Sequence, residues 1–241
     1  MLSVILICRN EAGMVEDCLR SIAFADEIII LDSGSQDRTV EIVKRYTPHV
    51  FQTDWQGYGI QKNRALSHAK GDWVLSIDAD ERVSSELAKE IQEVIKNKNY
   101  AAYEIPFEPY FLGQKIKFGD WRNDCKVRLF QRMLGRFDDA IVHENLKISG
   151  PIGKLKNTML HFSYLDQSEI DHKVMLYAEA GAEKLRQQGR MGGFYIGLIK
   201  GSFAFIRGYL IKLGFLDGLA GLKLAWMNAR CTFLKYFWVR K

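Results

Sequence analysis

Four short apolar runs divide the first 80 residues, each followed by a polar turn or an amphipathic stripe. Ser3-Val4-Ile5-Leu6-Ile7-Cys8 is unbroken and of strand length, the pattern of a strand buried on both faces. Met14, Val15, Cys18, Leu19 and Ile22 then recur at helical spacing, which predicts a helix over Ala12 to Ala23. Glu27-Ile28-Ile29-Ile30-Leu31 is a second buried strand ending at Asp32. The polar loop Ser33 to Asp37 leads into a helix over Arg38 to Tyr46, Val50-Phe51 is a short third strand, and a helix follows over Gln61 to Ala69. Trp73 to Ile77 is the fourth strand, ending at Asp78. Strands and helices alternating in this rhythm predict an α/β fold, a mixed, mostly parallel sheet with helices on both faces. Ligands of such sheets bind beyond the carboxyl ends of the strands, where Asp32 and Asp78 fall.

Further along, Ser84 is placed to cap a helix over Glu86 to Asn97. Residues 101–162 carry strand-like runs (Ala102 to Pro106, Val127 to Gln131, Ala140 to Ile148) that are expected to finish the sheet. Asp166-Gln167-Ser168-Glu169 reads as the capped start of a helix reaching about Gln188. The domain organisation expected is a catalytic domain over 1–165, with a donor half (1–100) and an acceptor half (101–165), then a C-terminal helical region over 166–241.

Charge changes the picture only at that end. The net charge of +5 is modest, but Phe194 to Lys241 holds eight Lys or Arg against one acid, Asp217, so the rest of the chain is slightly acidic. The same stretch holds 11 of the 29 aromatic residues. Gly197, Gly201, Ala204 and Gly208 share one helical stripe suited to close packing. Arg207 and Lys212 interrupt the apolar run, leaving it short of the ~20 residues of a transmembrane span. A basic, aromatic amphipathic helix suits the headgroup boundary of an anionic leaflet, so contact with a membrane surface is expected and a nucleic-acid partner is not. The cysteines, Cys8, Cys18, Cys125 and Cys231, lack metal-ligand spacing and follow no secretory segment, which points to free thiols in a cytoplasmic setting.

The strongest chemical signal is Asp78-Ala79-Asp80 directly after a buried strand. Two carboxylates one residue apart in a tight turn can share a hard divalent cation, Mg²⁺ or Mn²⁺, which also bridges to phosphate. Arg122, Lys126, Arg128 and Arg132 cluster within eleven residues and could clamp phosphates; in a regular strand Arg128 faces away from Val127 and Leu129. Asp138, Asp139 and Glu144 are the carboxylates available for proton transfer from an acceptor hydroxyl. Arg9-Asn10-Glu11 after the first strand is not the Gly-rich phosphate loop of a nucleotidyltransferase, nor the G-x-G-x-x-G of a dehydrogenase. A membrane-binding scaffold without catalysis leaves the placement of Asp32, Asp78 and Asp80 unexplained.

Four motifs in order, SVILICRNE (Ser3 to Glu11), ILDSGSQDRT (Ile30 to Thr39), QKNRA (Gln61 to Ala65) and GDWVLSIDADE (Gly71 to Glu81), resemble those of family 2 glycosyltransferases. Val142-His143-Glu144 and Gly214-Phe215-Leu216-Asp217-Gly218 extend the likeness to lipopolysaccharide inner-core β-1,4-glucosyltransferases. The resemblance implies a GT-A fold with C-terminal amphipathic helices, and an inverting enzyme that moves a sugar from a UDP-sugar, UDP-glucose above all, to a lipid-anchored saccharide such as an inner-core heptose. It implies a peripheral place on the inner face of the inner membrane. A polyprenyl-phosphate sugar synthase is the neighbouring alternative. Carried over by position, Asn10, Glu11, Asp32, Lys62, Asp78 and Arg128 bind the donor, with Asp32 at the uracil or ribose and Lys62, in place of the commoner Arg, at the phosphates. Asp80 binds the divalent cation directly and Asp78 contacts the ribose or the water shell of the cation. Glu144 is the expected base with Asp139 next, and His143 is a candidate metal or phosphate ligand.

Overall fold

The computed structural model describes residues 1–122, 124–140, 144–164 and 166–239. The strands are β1 (Leu2–Cys8), β2 (Glu27–Asp32), β3 (Val50–Gln52), β4 (Trp73–Asp78), β5 (Glu81–Val83), β6 (Ala102–Phe111), β7 (Gln114–Lys115), β8 (Cys125–Gln131), β9 (Gly135–Phe137), β10 (Leu146–Ile148), β11 (Ile152–Lys154) and β12 (Met159–Phe162). The α-helices are α1 (Val15–Ser21), α2 (Thr39–Val43), α3 (Tyr58–His68), α4 (Ser85–Val94), α5 (Gln167–Gln187), α6 (Phe194–Ile206) and α7 (Gly218–Phe237). They form two compact units, one of Met1–Phe107 with Asp124–His161, the other of Glu108–Asn123 with Phe162–Lys241.

The first unit is the expected α/β layer. Its sheet runs β3-β2-β1-β4-β8-β6-β12-β5. β3, β2, β1 and β4 are parallel, and β8 enters antiparallel to both β4 and β6. The period-2 alternation of side chains splits each buried run between two cores. Val4, Leu6, Ile30, Leu75 and Ile77 face α1, α2 and α4, while Ile5, Ile7, Ile29, Leu31 and Val74 face α3 and Phe137. Ser84 caps α4 as expected, its hydroxyl accepting from the Leu87 amide at 3.2 Å.

Several elements are shorter than the periodicity suggests. α1 keeps the middle and α2 the first half of the predicted span, because the residues around α1 and after α2 form tight turns, such as Ala23 onto Arg20 and Tyr46 onto Val43, in place of further helix. Among the described residues of the expected run Ala140 to Ile148, Leu146–Ile148 is a strand, paired with β9, while 140 and 144–145 lie outside any strand. The two- to four-residue strands β5, β7, β9, β11 and β12 are too short to show a period and were invisible in the pattern.

In the second unit, α5 starts at Asp166, whose carboxylate accepts from the Glu169 amide at 2.9 Å, while Glu169 itself pairs with Lys173 at 2.7 Å. α6 and α7 form an antiparallel hairpin. The glycine stripe lets the backbones touch: a Cβ at Gly197 would lie 2.9 Å from the Phe233 carbonyl oxygen, and one at Gly201 3.0 Å from that of Ala229. α6 continues through a π turn, Arg207–Ile211, to a left-handed residue, Leu213 (φ 60°). Asp217 is buried and accepts from the amides of Lys117 and Phe118, the latter at 2.8 Å, tying the 117–118 turn to the start of α7. The 18-residue stretch Phe194–Ile211 has a mean hydropathy of 1.3 with 22% of it buried, enough to cross a membrane by length and composition alone.

Within the first unit, the packing of α3 is tightest at Gly59, where a Cβ would lie 1.7 Å from the Asp138 carbonyl oxygen. Neither backbone can yield cheaply. Gly59→Ala is expected to destabilise the chain by about 1–3 kcal/mol, as overpacking generally does, and to push the 138–145 loop outward. A urea melt tests the first effect; unchanged stability would mean that the loop is not held against α3.

Candidate active site

The QKNRA segment lies on α3, and successive residues reach different parts of the site. The buried Gln61 amide donates to Ser33 Oγ (2.8 Å), Thr53 Oγ1 (3.1 Å) and the Asp54 carbonyl (2.8 Å), fixing the loops after β2 and β3. Asn63 exchanges two hydrogen bonds with the Phe137 backbone, at 2.9 and 3.0 Å. Between them Lys62, its side chain only 3% exposed, points its ammonium at Asp78 Oδ1 (3.1 Å) and Glu144 Oε1 (2.6 Å). Glu144 thus reaches a residue 82 positions away, and the loop that carries it is closed by Asp138, which accepts from the Asn145 amide at 3.0 Å.

Arg128 departs from the sequence expectation. β8 carries one more residue than β6 here: Tyr103 pairs with Leu129 and Glu104 with Val127, so Arg128 is the extra residue of a β-bulge. Alternation breaks at a bulge, which re-aims the side chain. Val127 and Leu129 accordingly fall in opposite cores rather than on one face. The Arg128 guanidinium is buried at the wall of a cleft and donates to both Asp78 and Glu81. Glu81, 1% exposed, also accepts the Asp78 amide at 3.0 Å. Burial opposes ionisation of Asp78, but the charges of Arg128 and Lys62 outweigh it and hold its carboxyl well below the usual carboxylate range. For Glu81 burial wins over Arg128 and pushes the carboxyl up.

Asp80 points elsewhere. Its Oδ2 lies 3.3 Å from His161 Nε2 on β12, and ligand atoms of Asp80, Glu81 and His161 all lie within 4.8 Å of one another. Asp78 is outside this group, its two oxygens already engaged by Lys62 and Arg128. Carboxylate oxygens with an imidazole fit a divalent cation, with Asp80 and His161 the better placed because both Glu81 oxygens already serve Asp78 and Arg128. His161 carried no signal in the sequence, being a lone histidine in a four-residue strand.

Asp32 and Asn10 stand at the ends of β2 and β1. Asp32 is fully buried and accepts from the Gly34 and Ser35 amides, both at 3.0 Å, and from the Ser35 hydroxyl. Asn10, in the left-handed region (φ 59°), donates its amide to Ser35 Oγ and accepts from the Gln36 amide, both at 2.8 Å. The Glu11 amide donates to Thr39 Oγ1 at 2.8 Å. These bonds knit the two loops into one rim. The Cys8 thiol beneath is pushed far up by burial and by Asp32, and the described cysteines are free thiols.

A cleft of about 460 Å³ is lined by Asp78, Lys126, Arg128, Phe137, Glu144 and Asn145, among others. Glu144 therefore faces it half-buried, whereas Asp139 is exposed and does not line it. His143 lies outside the described residues. The basic cluster divides: Lys126 and Arg128 stay at the cleft, Arg132 donates to the Gly71 carbonyl at 3.1 Å, and Arg122 belongs to the second unit.

A mostly parallel sheet with carboxylates at the ends of β2 and β4, an acidic cluster beside the cleft, and helices on both faces have the layout of a GT-A fold. The glycosyl transferase family 2 model matches residues 3–146, and the chain belongs to that family. Among curated relatives it is similar to the lipopolysaccharide core biosynthesis glycosyltransferase LpsC of Rhizobium meliloti, 29% identical over 95% of this chain and 90% of LpsC. It is also similar to the uncharacterized glycosyltransferase RP128 of Rickettsia prowazekii, at 28% identity over 97% of this chain and 85% of that one. Among solved structures, S. aureus TarS 1–349 in complex with UDP-GlcNAc shares the fold at a TM-score of 0.53 and 18% identity, covering 95% of this chain and 79% of TarS.

Arg128 neutralises two carboxylates, so removing it strands both. Arg128→Met is expected to cost about 3–5 kcal/mol, the usual effect of breaking a buried pair, and Arg128→Met with Glu81→Gln to recover part of it. The pH dependence has a definite sign. The contribution of Asp78 is full above its ordinary 3.8 and lost as pH falls toward its depressed value. Glu81, raised above 4.5, erodes stability as pH rises through its higher value. Urea melts at pH 7, pH 4 and pH 2 on the unaltered chain and the two variants check this, and a double variant no more stable than the single one would contradict it.

Proposed function

We propose that the chain is an inverting glycosyltransferase that moves a sugar, glucose from UDP-glucose, onto a lipid-anchored acceptor such as the heptose of the lipopolysaccharide inner core. The observation that carries this reading is the cleft in which Glu144 and Asp78 face one space, with Lys62 bridging them. Two named similarities support the substrates: LpsC is a lipopolysaccharide core biosynthesis glycosyltransferase, and TarS has been solved with UDP-GlcNAc.

In this reading the uridine sits on the rim that Asp32, Asn10 and Glu11 build, with the buried Asp32 reached once the Ser35 hydroxyl gives way to the ligand, and Lys62 faces the diphosphate. Asp80 and His161 hold Mg²⁺ or Mn²⁺, with Asp78 at the ribose or the water shell. When bound, the cation offsets the negative charge that gathers on the leaving diphosphate. The acceptor oxygen bonds to the anomeric carbon, the bond from that carbon to the diphosphate oxygen breaks, and UDP leaves with its electrons. The hydroxyl proton passes to the Glu144 carboxylate, which the Lys62 ammonium holds in place at 2.6 Å. Arg128 acts through Asp78, holding it in place.

Incubation with UDP-sugars, scored by cation-dependent release of UDP, tests the reaction. Asp80→Ala is expected to lose transfer and cation-enhanced UDP binding while melting normally; full activity in excess EDTA would sink the cation assignment. Glu144→Gln keeps the shape but takes no proton, so turnover should fall at least 100-fold, within the span of general-base contributions, with UDP affinity near normal. An active Glu144→Gln beside a dead Asp139→Asn would move the role to Asp139.

The α6–α7 hairpin is proposed to rest on the inner face of the inner membrane, from the cytoplasmic side. Phe194, Tyr195, Ile199, Phe203, Leu210 and Ile211 are all exposed, and the only acid of that region is the buried Asp217. Each Lys or Arg near an anionic leaflet contributes about 1 kcal/mol, screened by salt. Arg207 and Lys212 both bind Asp120 at 2.9 Å, so the exposed Lys200 and Lys223 are the informative positions. Cosedimentation with anionic vesicles should weaken in high salt without vanishing, and weaken further with both lysines changed to Gln. Equal recovery in the supernatant from every tube would end the membrane reading.

A further inference from the structure

The hairpin also carries a cavity that the transfer reaction does not use. An apolar groove of about 500 Å³ runs along α6 and α7, lined by Leu198, Gly201, Ser202, Phe205, Trp226 and Phe233 among others. The volume lies within the range of small-molecule sites. It arises because Gly201 and Ala229 bring the helix backbones together, while the large side chains flanking them stand apart.

We propose that this groove seats a single alkyl chain of an anionic amphiphile. Two features select that occupant. First, apart from the Ser202 hydroxyl and Arg230 the named lining offers almost nothing polar. An extended peptide laid there would leave backbone N–H and C=O groups unsatisfied, whereas a hydrocarbon chain has none to satisfy. Second, the charge beside the groove is net positive. Arg230 lines it while pairing with Asp171, Lys223 adds a further cation where it shares a neighbouring hollow with Trp226 and Arg230, and Asp217 is spent on the Lys117 and Phe118 amides. An anionic headgroup complements that field. The assignment is independent of the roles given to Asp80 and Glu144, since the groove belongs wholly to the second unit.

The test uses the full chain and monomeric dodecyl phosphate, below its micellar concentration, in calorimetric titrations. The expected result is saturable binding at one site, tightening about fourfold per methylene from octyl to dodecyl phosphate, which is the fold-change equivalent of about 0.8 kcal/mol per buried methylene. Inorganic phosphate should not bind, and dodecyl maltoside should bind at least tenfold more weakly. Ser202→Trp places a bulky ring at an exposed lining position and should cut affinity at least tenfold with an unchanged melting temperature; Trp226→Ala, which removes apolar lining, should also weaken it. Leu219→Ser, an exposed position outside the groove, should leave binding unaltered. Unsaturable uptake, no dependence on chain length, or full binding by Ser202→Trp overturns the proposal. Equal affinity for the maltoside overturns its anionic part. Self-association of the chain that Ser202→Trp abolishes would assign the groove to a second copy instead.

Discussion

Two buried cations hold three carboxylates in place, and the first unit is arranged around that balance. Lys62 and Arg128 come from α3 and from the β8 bulge; Asp78, Glu81 and Glu144 come from the end of β4, from β5 and from a distant loop. Removing such charges from water costs several kcal/mol per ion, so the arrangement persists only because every member has a partner of opposite sign. Each element must arrive in register for that to hold. The network therefore couples the fold to the site: a slip of β8 by one residue would withdraw Arg128 and leave Asp78 and Glu81 unpaired.

The same electrostatics set what the cleft can accept. Three carboxylates against two cations, with Asp80 and His161 close by, leave an excess of negative charge where a divalent cation fits. Lys62 is shared between Asp78 and Glu144, so a phosphate arriving there would compete for the ammonium that now holds Glu144. An anion bound at Lys62 and the freedom of the carboxylate that faces the cleft would thus be linked through one side chain.

The second unit obeys a different constraint. Small residues on α6 draw α7 in until backbone meets backbone, and the larger apolar side chains have nowhere to go but outward. Helix packing that tight leaves an apolar exterior as its by-product. With Asp217 turned inward as a backbone acceptor, the exterior is also basic. Amphiphile and membrane contact are both read from this one consequence of glycine spacing.

By itself the sequence determined the features that depend on local pattern. Continuous apolar runs identified β1, β2 and β4, helical spacing identified the helices on either face, and strand ends placed Asp32, Asp78 and Asp80 at the carboxyl edge of the sheet. The caps at Ser84 and Asp166 and the close-packing stripe on α6 were legible too, since each is a relation among residues three or four apart. Tertiary structure alone decided the partnerships. Arg128 looked like a regular strand residue because a bulge is defined by the neighbouring strand, which the sequence does not show. His161 gave no sign of meeting Asp80, and Glu144 none of meeting Lys62, because the spacing of such contacts is set by strand order and not by any period of the chain. Local periodicity can report which face a side chain takes; it cannot report which charge waits on the other side.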